Sequence, residues 1–282
     1  MSEFADEEPT PEEILQISQH FMLSSPPGQF KEVSADVKKL IPSGILTDSL
    51  EMGIARAYNI KNNKVVKAPS GKNVTITKAG EIDATHYFDP SNGSTFAIDH
   101  ITLESTDDVV DVNNIMDNTI ELKRAELQNA IDSYISSTFN DATAAGCVYA
   151  KDGKLNIVIT GEKSNLRNFW GGKWSSTWDV NLDGNISGEI KVHAHYFEDG
   201  NVQLQTTKPI KLTKLSSYTV ENIIKYINDT EYELQKSLGM MYMNMDQETF
   251  KSIRRILPVT KLKMDWNIAR TNLTSNLQAG LK

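Results

Sequence analysis

Residues 146–160, GCVYAKDGKLNIVIT, place an Asp-Gly pair between two apolar runs. Asp-Gly suits a type I′ turn, in which both central residues take a positive φ, so Asp152-Gly153 predicts a tight hairpin. The same pair returns at Asp183-Gly184 and at Asp199-Gly200, again between alternating runs. Residues 146–212 therefore predict an antiparallel meander of about five strands.

A helical period follows the meander after Ser216. The apolar residues form one stripe that reaches towards the C-terminus: Val220, Ile223, Ile227, Leu234, Leu238, Met241 and Met245. A helix of about 35 residues would be roughly 50 Å long at 1.5 Å per residue. One five-stranded sheet cannot cover that length, which indicates a partner chain.

The chain before the meander reads as short strands and one long helix. Strands are expected around 64–68, 73–78, 86–88 and 95–103, with Gly or Pro between them. An acidic link at 104–111 follows. A long helix is then predicted over 113–139, where the apolar residues recur at helical spacing, namely Ile120, Leu127, Ile131 and Ile135.

The first 60 residues predict three short helices. Thr10, Pro11 and Glu13 are typical of a capped helix start, and Ile14, Ile17 and Phe21 share one face of that helix. A second helix is expected over 34–41 with Val37, Leu40 and Ile41 facing inward. Thr47 caps the third, in which Leu50, Ile54 and Tyr58 share a face.

These patterns give an α+β fold with N-terminal helices and a central antiparallel sheet covered by long helices. The domain organisation follows the changes of period. We expect an N-terminal helical layer at 1–60 and short strands with a linker at 61–112. The sheet and long helices occupy 113–250, and a basic amphipathic tail occupies 251–282.

Length and composition exclude several classes of protein. The chain has 282 residues, is 39% apolar and 23% charged, and is long enough for a sizeable core. Its single cysteine, Cys147, excludes a disulfide framework and a CxxC metal cluster, and we expect it to be buried. The acidic start, MSEFADEEP, lacks the apolar segment of a signal peptide, so the expected location is the cytoplasm.

Charge is divided unevenly along the chain. Residues 251–282 contain seven Lys or Arg and one Asp, a net charge of +6. Because the whole chain has a net charge of −8, residues 1–250 carry −14. Bulk charge of that sign does not favour nucleic acid as a partner. The basic terminus remains suited to a local acidic surface.

No pattern assembles a catalytic site or a cofactor site. Gly71-Lys72 lacks the preceding Gly and the following Ser or Thr of a phosphate-binding loop. His193 and His195 share a strand face, as metal ligands can, but no third His or Cys lies nearby, so a polar strand face is preferred. The tryptophans at 170, 174 and 178 indicate a buried aromatic seam on a strand rather than a sugar platform.

The basic tail contains a second amphipathic pattern after Leu257-Pro258. Its apolar residues recur every three or four positions: Trp266, Ala269, Leu273, Leu277 and Leu281. A helix of about 15 residues is marginal in water unless it packs on something. The tail either packs on its own body or docks its stripe into a groove of a partner.

Five segments together resemble one known family. KSIRRILPVTKLKMDWN (251–267) and HYFEDGNVQL (195–204) are similar to the strong signatures of the F-actin capping protein α subunit. Three further segments match the family in the same order: SPPGQFKEV (25–33), YFDPSN (87–92) and NFWGGKWSSTW (168–178). The resemblance extends over nearly the whole chain.

This resemblance implies a non-enzymatic, cofactor-free subunit of a heterodimer. The α and β subunits of the family join their sheets into one, with long helices across it and a C-terminal tentacle on each chain. The dimer caps the barbed, fast-growing end of the actin filament independently of calcium. The family is regulated by phosphoinositides and by proteins with capping-protein-interaction motifs, and it belongs to the cytoskeleton of the cortical cytoplasm.

The resemblance also assigns residues of the tail. Lys251, Arg255 and Lys261 fall on the basic positions that contact the barbed end, and phosphoinositides would compete for the same three. Lys261 stands where the family usually has Arg, so it keeps the positive charge but lacks the planar guanidinium group that binds a carboxylate through two hydrogen bonds. The other expected actin contacts are Arg254, Lys263, Trp266, Leu273 and Leu277. The alternative is a membrane-associated adaptor that uses the basic tail on phosphoinositides.

Overall fold

The computed structural model describes residues 9–110, 120–140, 142–151, 153–198 and 201–244. The chain divides into two compact units, residues 1–224 and 225–282. The first unit contains all the described strands and every described helix except the last, which begins at Val220 and continues into the second unit.

Three helices begin the first unit: α1 (Pro11–Leu23), α2 (Phe30–Leu40) and α3 (Asp48–Lys61), with α1 in contact with both of the others. The predicted capping box is present, because Thr10 accepts from the Glu13 amide and the Glu13 carboxylate accepts from the Thr10 amide. Thr47 accepts from the Leu50 amide at 3.4 Å and caps α3 as expected.

The inward faces of these helices differ from the predicted ones. Met22, Val37 and Ile54 form the buried cluster, whereas Ile17 and Phe21 are 55% and 59% exposed. The assignment of Leu40 to the core is wrong, since its side chain is 83% exposed. Helical spacing identifies a stripe but not its direction, and on α1 the buried stripe is the one that contains Ser18, whose hydroxyl donates to the Ile14 carbonyl.

Five short strands follow as two small antiparallel sheets. The first contains β1 (Val65–Lys67) and β2 (Asn73–Thr75), and the second contains β3 (His86–Asp89), β4 (Ser94–Ile98) and β5 (Ser105–Thr106). Their apolar side chains form one core cluster with Cys147 and Tyr149. The four predicted strand regions are confirmed, and β5 lies inside the segment expected to be only a link.

Helix α4 (Glu121–Thr138) lies on the first long strand, β6 (Thr143–Lys151). Gln128 donates to the Gly146 carbonyl at 2.8 Å and accepts from the Val148 amide at 2.8 Å. The buried Arg124 donates to the Pro90 carbonyl and so joins α4 to the β3–β4 turn. The predicted start of this helix, at 113–119, lies outside the described residues.

The predicted meander is confirmed as a five-stranded antiparallel sheet in the order β10-β9-β8-β7-β6. After β6 come β7 (Lys154–Asn165), β8 (Trp170–Asn181), β9 (Asn185–Tyr196) and β10 (Val202–Lys214). A single 3-10 turn, Leu166–Asn168, connects β7 to β8. Every pair in this sheet joins strands that are neighbours in the sequence.

The turns of the meander are only partly as predicted. Lys151 pairs with Lys154 across a two-residue loop, and Gly153 has φ +69° as the hairpin requires. At the next turn Gly184 has φ +82° but Asp183 does not have a positive φ, so the type I′ prediction is wrong there. The loop has three residues, and the Asp183 carboxylate accepts from the Asn185 amide, which stabilises it from the side chain.

The two faces of the sheet differ: one is mainly apolar, and the other is polar over β8 and β9 but buried and apolar towards β6, at Cys147, Tyr149 and Val158. One is apolar and fully buried: Leu155, Ile157, Ile159, Trp178, Val180, Ile186 and Ile190. The other has polar side chains at the alternate positions, among them Asn156, Asp179, Glu189 and His193. Side chains alternate between the faces of a strand, so the strand register decides which set is buried.

Helix α5 extends over Val220–Asn244, 25 residues, and the rest of the predicted long helix lies outside the described residues. Among the residues described, no helix combines the length and the apolar character needed to span a membrane.

The close approach of α4 to β6 generates a stability prediction. A Cβ added at Gly146 would lie 2.2 Å from the Ile131 methyl carbon Cγ2, so Gly146→Ala forces the helix and strand apart. We expect a loss of about 1–3 kcal/mol in the free energy of unfolding, measured by urea denaturation.

Gly53→Ala is the matched control, because an added Cβ on that exposed position of α3 meets nothing within 4 Å. It should raise stability by about 0.5–1 kcal/mol through helix propensity. Equal stability of the two variants would contradict the proposed packing of α4 on β6.

Candidate partner-binding surface

All the tail residues singled out by sequence lie outside the described residues, which end at Asn244. They are Lys251, Arg254, Arg255, Lys261, Lys263, Trp266, Leu273 and Leu277. The sites that the structure describes are therefore on the folded body, in the sheet and in the loop that precedes α2.

Three of the sequence segments quoted above meet at one end of the sheet. The Gln29 amide nitrogen lies 2.7 Å from Nδ1 of His195, and Nε2 of His195 lies 3.0 Å from the Asn201 amide oxygen. The loop before α2 and the ends of β9 and β10 thus share one imidazole. We refer to Gln29, His195, Phe197, Asn201 and Phe169 as the motif cluster.

Aromatic rings complete the motif cluster. Phe197 stacks on His195 with ring centroids 4.8 Å apart and meets Phe169 edge-on at 5.6 Å. Phe169 adopts a left-handed conformation, φ 58°, and its carbonyl accepts from the Phe197 amide at 2.9 Å. The cluster therefore fixes where β8 begins and where β9 ends.

The metal interpretation of His193 and His195 finds no support in this geometry. Both lie on the same face of β9, as predicted, but His195 uses both ring nitrogens for amide contacts. Burial lowers the pKa of His193, whose Nε2 lies 3.2 Å from the Gln203 amide oxygen. Within the described ranges, no group of three His, Cys, Asp or Glu is arranged to hold a metal ion.

The cysteine is buried as expected, and the predicted buried aromatic seam is confirmed only at Trp178. Trp170, Trp174 and Trp178 lie on the same face of β8; Trp178 is fully buried and the other two are partly buried. Cys147 is buried, and burial raises its pKa to about 11, so the thiol stays protonated at neutral pH. A protonated buried thiol is not a nucleophile.

A charged triad lies on the polar face and was not found from the sequence. Glu162 of β7 accepts from Lys64, next to β1, and from its cross-strand neighbour Lys173 of β8 at 3.2 Å. Burial alone would raise the pKa of Glu162, but the charges of Lys173 and Lys64 outweigh it and hold that pKa below its ordinary value. Burial lowers the pKa of Lys173.

The triad continues as a row of polar side chains across the sheet. Lys173 pairs with His193 of β9, and His193 pairs with Gln205 of β10, whose amide nitrogen lies 3.2 Å from Nε2 of His193. This polar row starts under the N-terminal segment and ends at the last strand. The row thus extends across the sheet from β7 to the edge strand β10.

The two edges of the sheet differ, because one is covered and the other is open. Strand β6 is covered by α4 and contacts β1 and β2. Strand β10 has no further strand beside it among the described residues, and its Val202 and Leu212 are 63% and 64% exposed. Pro209 lies within it, as is typical of edge strands. A 13-residue edge with unpaired backbone groups is a template for a partner strand.

Comparison with known proteins gives this surface its context. A family model described as F-actin capping protein alpha subunit matches residues 18–276. The chain belongs to this family. The match includes the motif cluster, the triad and β10, and it continues into the basic tail beyond the described residues.

Similar proteins support the assignment at full length. The F-actin-capping protein subunit alpha of Neurospora crassa is 32% identical, with 94% of this chain and 97% of that protein aligned. The subunits of Caenorhabditis elegans and Dictyostelium discoideum are also 32% identical, over 96% and 90% of this chain and 97% and 94% of theirs.

A solved structure confirms the α+β fold. It is described as the homodimeric actin capping protein alpha subunit from Plasmodium berghei, and it matches with a TM-score of 0.73 over 88% of this chain and 98% of that chain. The sequences are 22% identical, so the likeness concerns the fold. The family is one of actin-capping proteins, not a family of enzymes.

The charged triad generates a stability prediction. Glu162→Gln leaves two ammonium groups without their shared carboxylate in a site where Lys173 is buried, and we expect a loss of about 3–5 kcal/mol in the free energy of unfolding. Because folding lowers the pKa of Glu162, its contribution is present above the ordinary value of 4.5 and is lost as pH falls through the folded pKa.

Urea unfolding at several pH values measures both effects. The matched control is Glu189→Gln, on the same face but in an exposed ion pair with Lys191 at 2.5 Å, where the cost should be about 0–1 kcal/mol. A variant at Glu162 that kept the stability and the acid sensitivity of the unmodified protein would rule out a structural role for the triad.

Proposed function

We propose that this chain is the α half of a heterodimer that binds the barbed end of the actin filament, independently of calcium, and blocks subunit addition and loss. The observation that carries this proposal is the extent of the family match, which includes the folded body and residues 251–276 of the basic tail. A scaffold and a charged arm are the two parts that a filament cap needs.

The basic tail is the proposed actin-binding arm. Residues 251–282 carry +6 in a chain of −8, so the arm differs in sign from the body that holds it. Lys251, Arg255 and Lys261 supply the charge that meets acidic grooves on actin, with Arg254 and Lys263 beside them. Charges of this kind mainly raise the rate of encounter and set the orientation.

The apolar stripe of the tail adds affinity but does not suffice alone. Burying Trp266 and the leucines at 273, 277 and 281 yields about 6–10 kcal/mol at about 1.5–3 per side chain. Association costs about 4–15 kcal/mol before any surplus remains. Tight capping therefore needs a second arm on the same scaffold, which the β subunit would supply through avidity.

The open edge at β10 is the proposed junction with the β subunit. Strand β10 has 13 residues and no strand on its outer side in the described part of the chain, whereas the opposite edge is covered. Adding a partner strand there satisfies the unpaired backbone groups and extends the sheet across two chains.

Regulation and location are carried over from the family resemblance. We propose that phosphoinositides compete with actin for Lys251, Arg255 and Lys261, that proteins with capping-protein-interaction motifs bind the dimer, and that it acts at cortical actin in the cytoplasm. The adaptor alternative gains nothing from the family match. Vesicle co-sedimentation without actin separates the two, because a capper blocks filament ends in the absence of lipid.

Charge reversal in the tail tests the actin site. The heterodimer should stop elongation of pyrene-actin from filament seeds at nanomolar concentration, and K251E/R255E/K261E should weaken capping by about 10–100-fold. The matched control, K39E/K67E/K154E, makes the same number of reversals at exposed lysines of the body and should cap normally. Unchanged capping by the tail variant would refute the site assignment.

Truncation of the tail tests its apolar stripe separately. Deleting Met264–Lys282 removes the amphipathic segment and leaves the basic cluster, so we expect a loss of about tenfold or less in affinity for seeded filaments. The dissociation rate should rise more than the association rate falls, because burial of apolar surface acts after encounter. A truncation more harmful than the triple charge reversal would invert the proposed division of labour.

A further inference from the structure

The outer strand of the sheet has a charge pattern that its neighbours lack. Strand β10 contains Lys208, Lys211 and Lys214 and no acidic residue, in a chain whose residues 1–250 carry a net −14. Lys211 and Lys214 are exposed and Lys208 is partly exposed. Within the described part of the chain none of the three has an acidic partner, whereas Lys191 of β9 is paired with Glu189.

These lysines lie where a partner strand would have to pair. In an antiparallel ladder, opposite side chains are about 5 Å apart, so unlike charges stabilise the pair and like charges destabilise it. Lysine and proline on an open edge also discourage indiscriminate pairing. Pro209 lies between two of the lysines. The edge is therefore available only to a strand that compensates its charge.

A second copy of this chain does not compensate that charge. Two β10 strands paired about a two-fold axis bring six ammonium groups and no carboxylate to one seam. The register centred on Lys208 places that lysine opposite its own copy. In the register centred on Lys211, that lysine lies opposite its own copy, and the bulge between Ile210 and Thr213 places Lys208 and Lys214 on opposite faces of the same seam. The backbone hydrogen bonds are equally good with a second copy and with an acidic strand, so the side-chain charges decide between the two. Like charges on the seam therefore disfavour pairing with a second copy.

The choice of partner is a real one for this fold, since a solved capping-protein alpha chain of similar fold is described as homodimeric. We propose that Lys208, Lys211 and Lys214 make β10 selective: it pairs with a partner edge strand that carries Asp or Glu, and it rejects a second copy of this chain. This inference rests on the proposed heterodimer and adds the chemistry of the partner's strand.

Charge exchange between differently tagged copies tests the selectivity. The tagged wild-type chain is co-expressed with a second copy that is wild type, K208E/K211E/K214E or the body control K39E/K67E/K154E. The β10 variant should be captured about tenfold more than the other two, because it presents the acidic edge that the wild-type strand lacks. Washing at about 0.5 M salt should remove this difference in capture, because salt screens the charges. Equal capture of all three copies would overturn the proposal.

Co-expression with the β subunit of the same organism tests the native pair. The β10 variant should yield at least about tenfold less heterodimer than wild type at low salt, and the body control should assemble normally. Undiminished assembly of the β10 variant would also overturn the proposal. Pyrene-actin assays of the wild-type heterodimer keep the two claims apart: a dimer that caps but ignores the β10 charges refutes only the selectivity, and a charge-selective dimer that does not cap refutes only the proposed function.

Discussion

The register of β7 against β8 is the constraint on which the rest of the molecule depends. It places Ile157 opposite Trp178 on the apolar face and Glu162 opposite Lys173 on the polar face. A shift of one residue would move every side chain of a strand to the other face, so its apolar side chains would meet the charged and polar groups there and the carboxylate would enter the apolar face without its lysines. Burial of one face and pairing of charges on the other therefore specify the same register.

The motif cluster and the triad connect the N-terminal segment to side chains whose positions the register sets. Lys64 reaches Glu162 and Gln29 reaches His195, so residues before the sheet bind to two side chains of its polar face. Both contacts involve groups that are costly to bury unpaired, which makes the docking of the N-terminal segment specific as well as favourable. The N-terminal segment is thus held to the polar face of the sheet at specific side chains.

The sequence predicted the elements of the fold well because alternation and turn residues are local signals. Gly153 and Thr10 each act within a few residues of their own position, and the predicted hairpin and capping box are both present. The inward face of α1 was not predictable, since two stripes compete and tertiary packing chose the one with Ser18. Glu162 and Lys173 also escaped notice, because only the register of two strands reveals that they are neighbours. In the motif cluster, Gln29 and Asn201 lay inside quoted segments, but their shared partner is a property of the folded chain.

Charge is the feature that links the described body to the basic tail. Lys208, Lys211 and Lys214 on one strand edge and the seven Lys or Arg of residues 251–282 are two concentrations of positive charge in a chain of net charge −8, and an acidic surface is attracted to each. The edge offers unpaired backbone groups as well as charge, so it suits a strand, whereas the tail combines charge with a short apolar stripe and suits a groove. Because each place demands a different shape of partner, the proposed function assigns the second subunit to the edge and the filament end to the tail, and the two do not compete for the same residues.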